Sequence, residues 1–243
     1  QQYKLLIEIE PGFWANYQNL GNLYFNIGRF TEAAENYEIQ ASLVRDRTRV
    51  INNLAAAHFL AEDFDRAVDA WKRALEIEPE AVTYANVGSA QFFLEKFAES
   101  AGMYEQAILI SPEDHRTWGS AAEAYYYDGD ERNREYFEKA IALAEGQLAI
   151  NPNDYSTLST VARYHSYLGH ADEALDALAK AQALNDEDVY LAYDAAVVYA
   201  RLNRPQDAER AIEKLLELGY SKRLIAMDAN FRDYKHVLDK EEP

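Results

Sequence analysis

Small residues recur along this chain at one long, nearly constant interval. Gly21, Ala55, Gly88, Ala122, Ala162 and Ala196 form one series, and Ala33, Ala67, Ser100, Ala140, Ala174 and Ala208 form a second. Large residues keep the same phase: Phe30, Phe64, Phe97 and Phe137, and then Tyr37, Trp71 and Tyr104. Small positions recur where two helices cross, since short side chains let the axes approach, and large ones fill the space left over. Gly28, Gly129, Gly169 and Asn203 lie between the two small series, where a residue tolerant of left-handed backbone ends a helix. Pro11, Pro79, Pro112 and Pro152 share the phase, at intervals of 68, 33 and 40 residues. That reads as two periods, one period, and one period with about six residues inserted. A period in the thirties predicts an array of helix pairs, each unable to bury its apolar face alone.

With the shared proline at position 32 of 34, the units are 14–47, 48–80, 81–114, 115–154, 155–188 and 189–220. Residues 1–13 read as the trailing helix of a truncated repeat, so the chain is expected to be excised from something longer or processed. Residues 221–243 read as capping helices and a tail. There Ser221 is an N-cap candidate, and Leu224, Ile225, Met227, Phe231, Tyr234, Val237 and Leu238 form apolar stripes. The insertion falls on Asp130–Glu135; if helical, it lengthens the second helix of its unit by roughly 9 Å.

The pattern resembles the tetratricopeptide repeat. Unit 81–114 carries it best, through Tyr84, Val87, Gly88, Phe97, Ser100, Tyr104, Ala107 and Pro112. Arg45 and Asp186 replace the proline in two units, and Pro205 starts the second helix of the last. The tail, with Leu218–Ser221, Asp228 and Phe231, is also similar to the ends of repeat regions in bacterial signalling proteins: winged-helix regulators, Ser/Thr kinases and nucleotide cyclases. The resemblance implies an all-α, right-handed superhelical solenoid of antiparallel helix pairs. It also implies that the first helix of each unit lines a concave face, chiefly through positions 2, 5, 6, 9, 12 and 13.

Position 6 reads Asn19, Asn53 and Asn86, and Asn22, Asn26 and Asn52 occupy further lining positions. An Asn amide offers a donor and an acceptor in one plane, so a row of them can hold the backbone of an extended peptide. Phe59, Phe92, Phe93, Tyr126 and Tyr127 stand beside them as candidate walls for apolar side chains, although position 12 also suits packing between units. The Asn row fades in the last two units, so the binding surface is expected in the first four. The carboxylate clamp of chaperone-binding arrays is not expected. Asn22 and Asn53 match its two Asn positions, but Gln18, Val82 and Asn86 stand where it needs basic residues.

Charge narrows the partner. The net charge of −18 disfavours nucleic acid and anionic membranes, and favours a neutral or basic extended polypeptide. No apolar run reaches membrane length, and no cysteine is present to form a disulfide or ligate a metal. No catalytic constellation, metal site or cofactor motif is found. His58 and His165 fall at position 11, where other units carry Tyr24, Tyr125 and Tyr199, and so read as core substitutes. The chain is therefore expected to be a non-enzymatic scaffold that binds an extended polypeptide. The alternative is a regulatory or sensory module of a larger bacterial signalling protein. The apolar edge at Tyr3, Leu6 and Ile7 leaves open a homodimer through the N-terminal half-repeat. The compartment stays open between a bacterial cytoplasm and periplasm.

Overall fold

A computed structural model describes residues 2–44 and 48–239, and every described residue in a regular element is helical. Arg45 lies outside the described residues. The chain forms two compact units, Gln1–Ile110 and Ser111–Pro243.

The first unit contains α1 (Gln2–Ile9) followed by three helix pairs. These are α2 (Trp14–Asn26) with α3 (Phe30–Leu43), α4 (Thr48–Leu60) with α5 (Phe64–Ile77), and α6 (Ala81–Phe93) with α7 (Phe97–Ile110). The second unit contains three more. They are α8 (His115–Asp128) with α9 (Asn133–Ile150), α10 (Tyr155–Leu168) with α11 (Ala171–Leu184), and α12 (Val189–Arg201) with α13 (Pro205–Glu217). A short helix α14 (Lys222–Met227) and a 3₁₀ segment, Ala229–Asp239, kinked at Phe231, complete it.

Within each pair, the crossing is where small meets large. A β-carbon on Gly21 would lie 2.7 Å from the Tyr37 ring, and one on Gly88 would lie 3.0 Å from the Tyr104 ring. The Ser100 hydroxyl donates to the Gly88 carbonyl at 2.7 Å, so the crossing is also hydrogen-bonded. The turn inside every pair has one left-handed residue at the same repeat position. Gly28, Gly129, Gly169 and Asn203 supply it in four pairs, Glu62 and Glu95 in the other two. Asp114, Asp154 and Asp188 cap the first helices of the second unit, each accepting a backbone N–H with its carboxylate. A carboxylate there satisfies free N–H groups and suits the positive end of the helix dipole.

The insertion divides in two. Asp130–Arg132 form a turn in which the Asp130 carboxylate accepts the Arg132 N–H at 2.8 Å. Asn133–Glu135, together with Tyr136 that follows the insertion, then add one turn to the front of α9, which lengthens that helix by about 6 Å rather than the full inserted length. Tyr136 packs on Trp118 and Tyr125, and the Arg132 guanidinium lies 4.1 Å above the Tyr125 ring. The inserted residues therefore close back on their own unit.

The tail contributes to the core of the second unit. Ile225, Phe231, Val237 and Leu238 are buried in the same cluster as Ile212 and Leu215 of α13. The Ser221 hydroxyl caps α14 by accepting the Leu224 N–H at 3.2 Å.

Candidate functional site

The six candidate asparagines all sit in the first unit, on the first helices α2, α4 and α6. Their environments divide them. Asn22 is structural, because the Tyr37 hydroxyl donates to its Oδ1 at 2.8 Å and ties α2 to α3. Asn52 has a buried Oδ1 without a hydrogen-bond partner among the described residues. The side-chain amides of Asn19, Asn26, Asn53 and Asn86 make no hydrogen bond among the described residues. Asn19 and Asn26 are exposed, and Asn53 and Asn86 are half-buried. Val82, at a lining position of α6, is 61% exposed.

The aromatic candidates are half-buried and pack on neighbouring rings, mostly edge to face. Phe59 meets Phe64, Trp71 and Phe93 at 5.2–5.9 Å between centroids. Phe93 stacks on Phe64 at 5.0 Å, and Phe92 meets Phe97 edge-on at 5.2 Å. Geometries of this kind add a stabilisation of about 0.5–1.5 kcal/mol per pair beyond area burial. These rings thus join neighbouring repeats of the first unit.

In the second unit Tyr126 and Tyr127 belong to a different construction. The Arg201 guanidinium lies 4.2 Å above Tyr126 and 4.8 Å above Tyr167, and it also bonds the Tyr126 hydroxyl. The Tyr127 hydroxyl donates to Asn230 Oδ1 at 2.8 Å. Asn230 is buried and reaches all three first helices of the unit. Its Nδ2 donates to Glu123 of α8 at 2.8 Å, and the Tyr167 hydroxyl of α10 lies 2.5 Å from its Oδ1. Tyr193 of α12 is 3.5 Å from its Nδ2. Beneath it, Arg163 bridges Glu123 at 2.6 Å and Asp194 at 2.8 Å. Ser159 donates to the other oxygen of Asp194. Burial pushes the Tyr127, Tyr167 and Tyr193 hydroxyls upward, so they remain protonated donors.

None of Glu123, Arg163, Asp194, Asp228 and Asn230 was a sequence candidate. One signal was available: Glu123 and Arg163 have opposite charge at the same repeat position of successive units. Nothing in the repeat pattern reports Asn230, which lies beyond the repeats.

The histidines are dispersed. His58 is buried, and that burial lowers its proton affinity. His115 sits against the Tyr164 hydroxyl at 3.3 Å, and His165 against His170 at 3.3 Å. His236 meets Glu209 at the surface. No cluster of His, Asp and Glu suited to a metal ion occurs among the described residues, and no helix there is long and apolar enough to cross a membrane.

Two family models for the tetratricopeptide repeat match the chain, over residues 48–81 and 15–38. A tetratricopeptide repeat protein from Parabacteroides merdae superposes with a TM-score of 0.72 over 98% of this chain and 90% of its own, at 14% identity. MamA is 25% identical over 60% of this chain and 87% of its own, with a TM-score of 0.56. A chain of the Cut9–Hcn1 hetero-tetramer aligns over 98% of this chain and 45% of its own, at 15% identity and a TM-score of 0.61. No curated protein sequence matches.

Proposed function

We propose that this chain, which carries repeats matching the tetratricopeptide models, is a protein-interaction scaffold whose first unit grips an extended polypeptide by the backbone. The observation that carries this reading is the set of unengaged amides on Asn19, Asn26, Asn53 and Asn86, which recur along α2, α4 and α6. A planar amide can donate to a peptide carbonyl and accept from a peptide N–H together, so it holds a strand without reading its side chains. The aromatic cluster of Phe59, Phe92 and Phe93 stiffens the helices that carry the amides. The partially exposed ring edges, with Val82, offer apolar contact beside them. The net charge of −18 favours a neutral or basic segment.

The test is a fluorescence-anisotropy titration of unstructured neutral, basic and acidic peptides against the full chain and the variant with Asn19, Asn53 and Asn86 all changed to Ala. The expected result is binding of neutral and basic peptides, loss of at least ten-fold in the variant, and loss on N-methylation of the peptide backbone. Equal binding by variant and parent would remove the asparagine row from the function.

The first helix supports a second reading, in which the array associates with a copy of itself or docks another part of the same protein. Tyr3 shares its repeat position with the buried Tyr37, Trp71 and Tyr104, yet it is 36% exposed, and α1 buries no residue. Sedimentation of a Leu6→Glu variant tests this: a dimeric parent and a monomeric variant would support self-association.

A further inference from the structure

The C-terminal segment lies across the face made by α8, α10 and α12, and beside its buried apolar side chains it carries a polar anchorage. Asn230 binds side chains from all three helices. Asp228 buries a carboxylate beside it that is only 2% exposed. One Asp228 oxygen accepts the Asn230 N–H at 2.8 Å and its Nδ2 at 3.0 Å, and the other accepts the Tyr193 hydroxyl at 2.8 Å. All three donors are neutral. The guanidinium of this site, Arg163, is committed to Glu123 and Asp194. Glu123, Asp194 and Asp228 are thus three buried carboxylates of this unit, and Asp228 is the one that Arg163 does not bridge.

We propose that the segment is a proton-linked strap: it closes over α8, α10 and α12 with uptake of a proton at Asp228, so that acidification tightens it and rising pH loosens it. Every packed element presents groups to that carboxyl. Glu123 and Tyr127 come from α8, Tyr193 from α12, Tyr220 from the turn before α14, and Asn230 from the strap itself, while the Arg163 guanidinium of α10 is engaged by Glu123 and Asp194. Burial disfavours its negative form and Glu123 repels it, and together they outweigh the neutral donors that favour it, so the carboxyl rises from its ordinary 3.8 to about 6. A pKa raised in the docked state means that docking is favoured below it, and that this gain is lost as pH climbs through about 6. An exposed Asp titrates near its ordinary value, so docking should be about ten-fold more favourable at pH 5 than at pH 7.5.

The strap covers Tyr127, Tyr167 and Tyr193, so its release would expose these side chains of α8, α10 and α12. The experiment is amide exchange of the full chain at pH 5.0 and 7.5, corrected for intrinsic rates, with α10 and α12 as internal references. Strap amides in 222–239 should open about ten-fold less often at pH 5.0, and Asp228→Asn should abolish the difference. An opening constant equal at both pH values overturns the proposal, as does a pH dependence that survives in Asp228→Asn. If Asp228→Asn undocks the strap at both pH values, the carboxyl carbon of Asp228 in the parent chain decides by NMR. A midpoint near 6 supports the proposal, and one near 4 overturns it.

Discussion

The ring of Tyr164 occupies the place where a β-carbon on Gly119 would stand, its atoms only 2.2–2.4 Å from that point. Tyr164 on α10 is fully buried, and its hydroxyl donates to the His115 carbonyl on α8 at 3.1 Å. One glycine thereby sets how closely two successive repeats approach. Gly119→Ala should cost about 1–3 kcal/mol, since the ring has no free volume to enter. Urea denaturation checks this; a midpoint equal to the parent's would mean that the helices adjust without loss.

Two other glycines should respond in opposite directions. Gly169 ends α10 with φ of +76°, whereas Gly146 sits exposed inside α9 with nothing within 4 Å of its missing β-carbon. Gly169→Ala should destabilise by about 1 kcal/mol through backbone strain. Gly146→Ala should stabilise by roughly 0.5–1 kcal/mol through helix propensity. Thermal midpoints of the two variants should lie on either side of the parent's.

Arg163 balances Glu123 and Asp194 in a site where each side chain is at most 15% exposed. Arg163→Met leaves two buried carboxylates facing each other, at a cost of about 3–5 kcal/mol. Burial already raises the Asp194 carboxyl against the pull of Arg163. Without the guanidinium the Asp194 carboxyl should rise further and take up its proton above its ordinary range, so the deficit should narrow as pH falls. Denaturation at pH 4.5 and 7.5 measures the narrowing; an equal deficit at both would contradict it.

The asparagines separate structural from free amides. Asn22→Ala removes the acceptor of the Tyr37 hydroxyl and should lower stability by about 1 kcal/mol. Asn19→Ala, at an exposed and unengaged site, should stay within about 0.5 kcal/mol of the parent. A large loss in Asn19→Ala would give it a structural role and weaken the peptide-grip reading.

Periodicity alone determined where helices pair and where they cross. Gly21 against Tyr37 and Gly88 against Tyr104 follow from residue size at a fixed spacing, and Gly28, Gly129 and Gly169 from backbone freedom at the turn. These are local constraints repeated many times, so each unit restates them. Glu62 and Glu95 adopt the same left-handed turn without announcing it, because the surrounding pair imposes the conformation on whatever residue stands there. Only the tertiary structure decided which asparagines are free, since Asn22 is distinguished from Asn19 by the reach of Tyr37 from another helix. It also decided that the tail joins the second unit through Asn230, whose bond to Glu123 spans 107 residues of chain. A hydrogen bond of that span depends on how helices stack, and a pattern that repeats every unit carries no record of a contact made once.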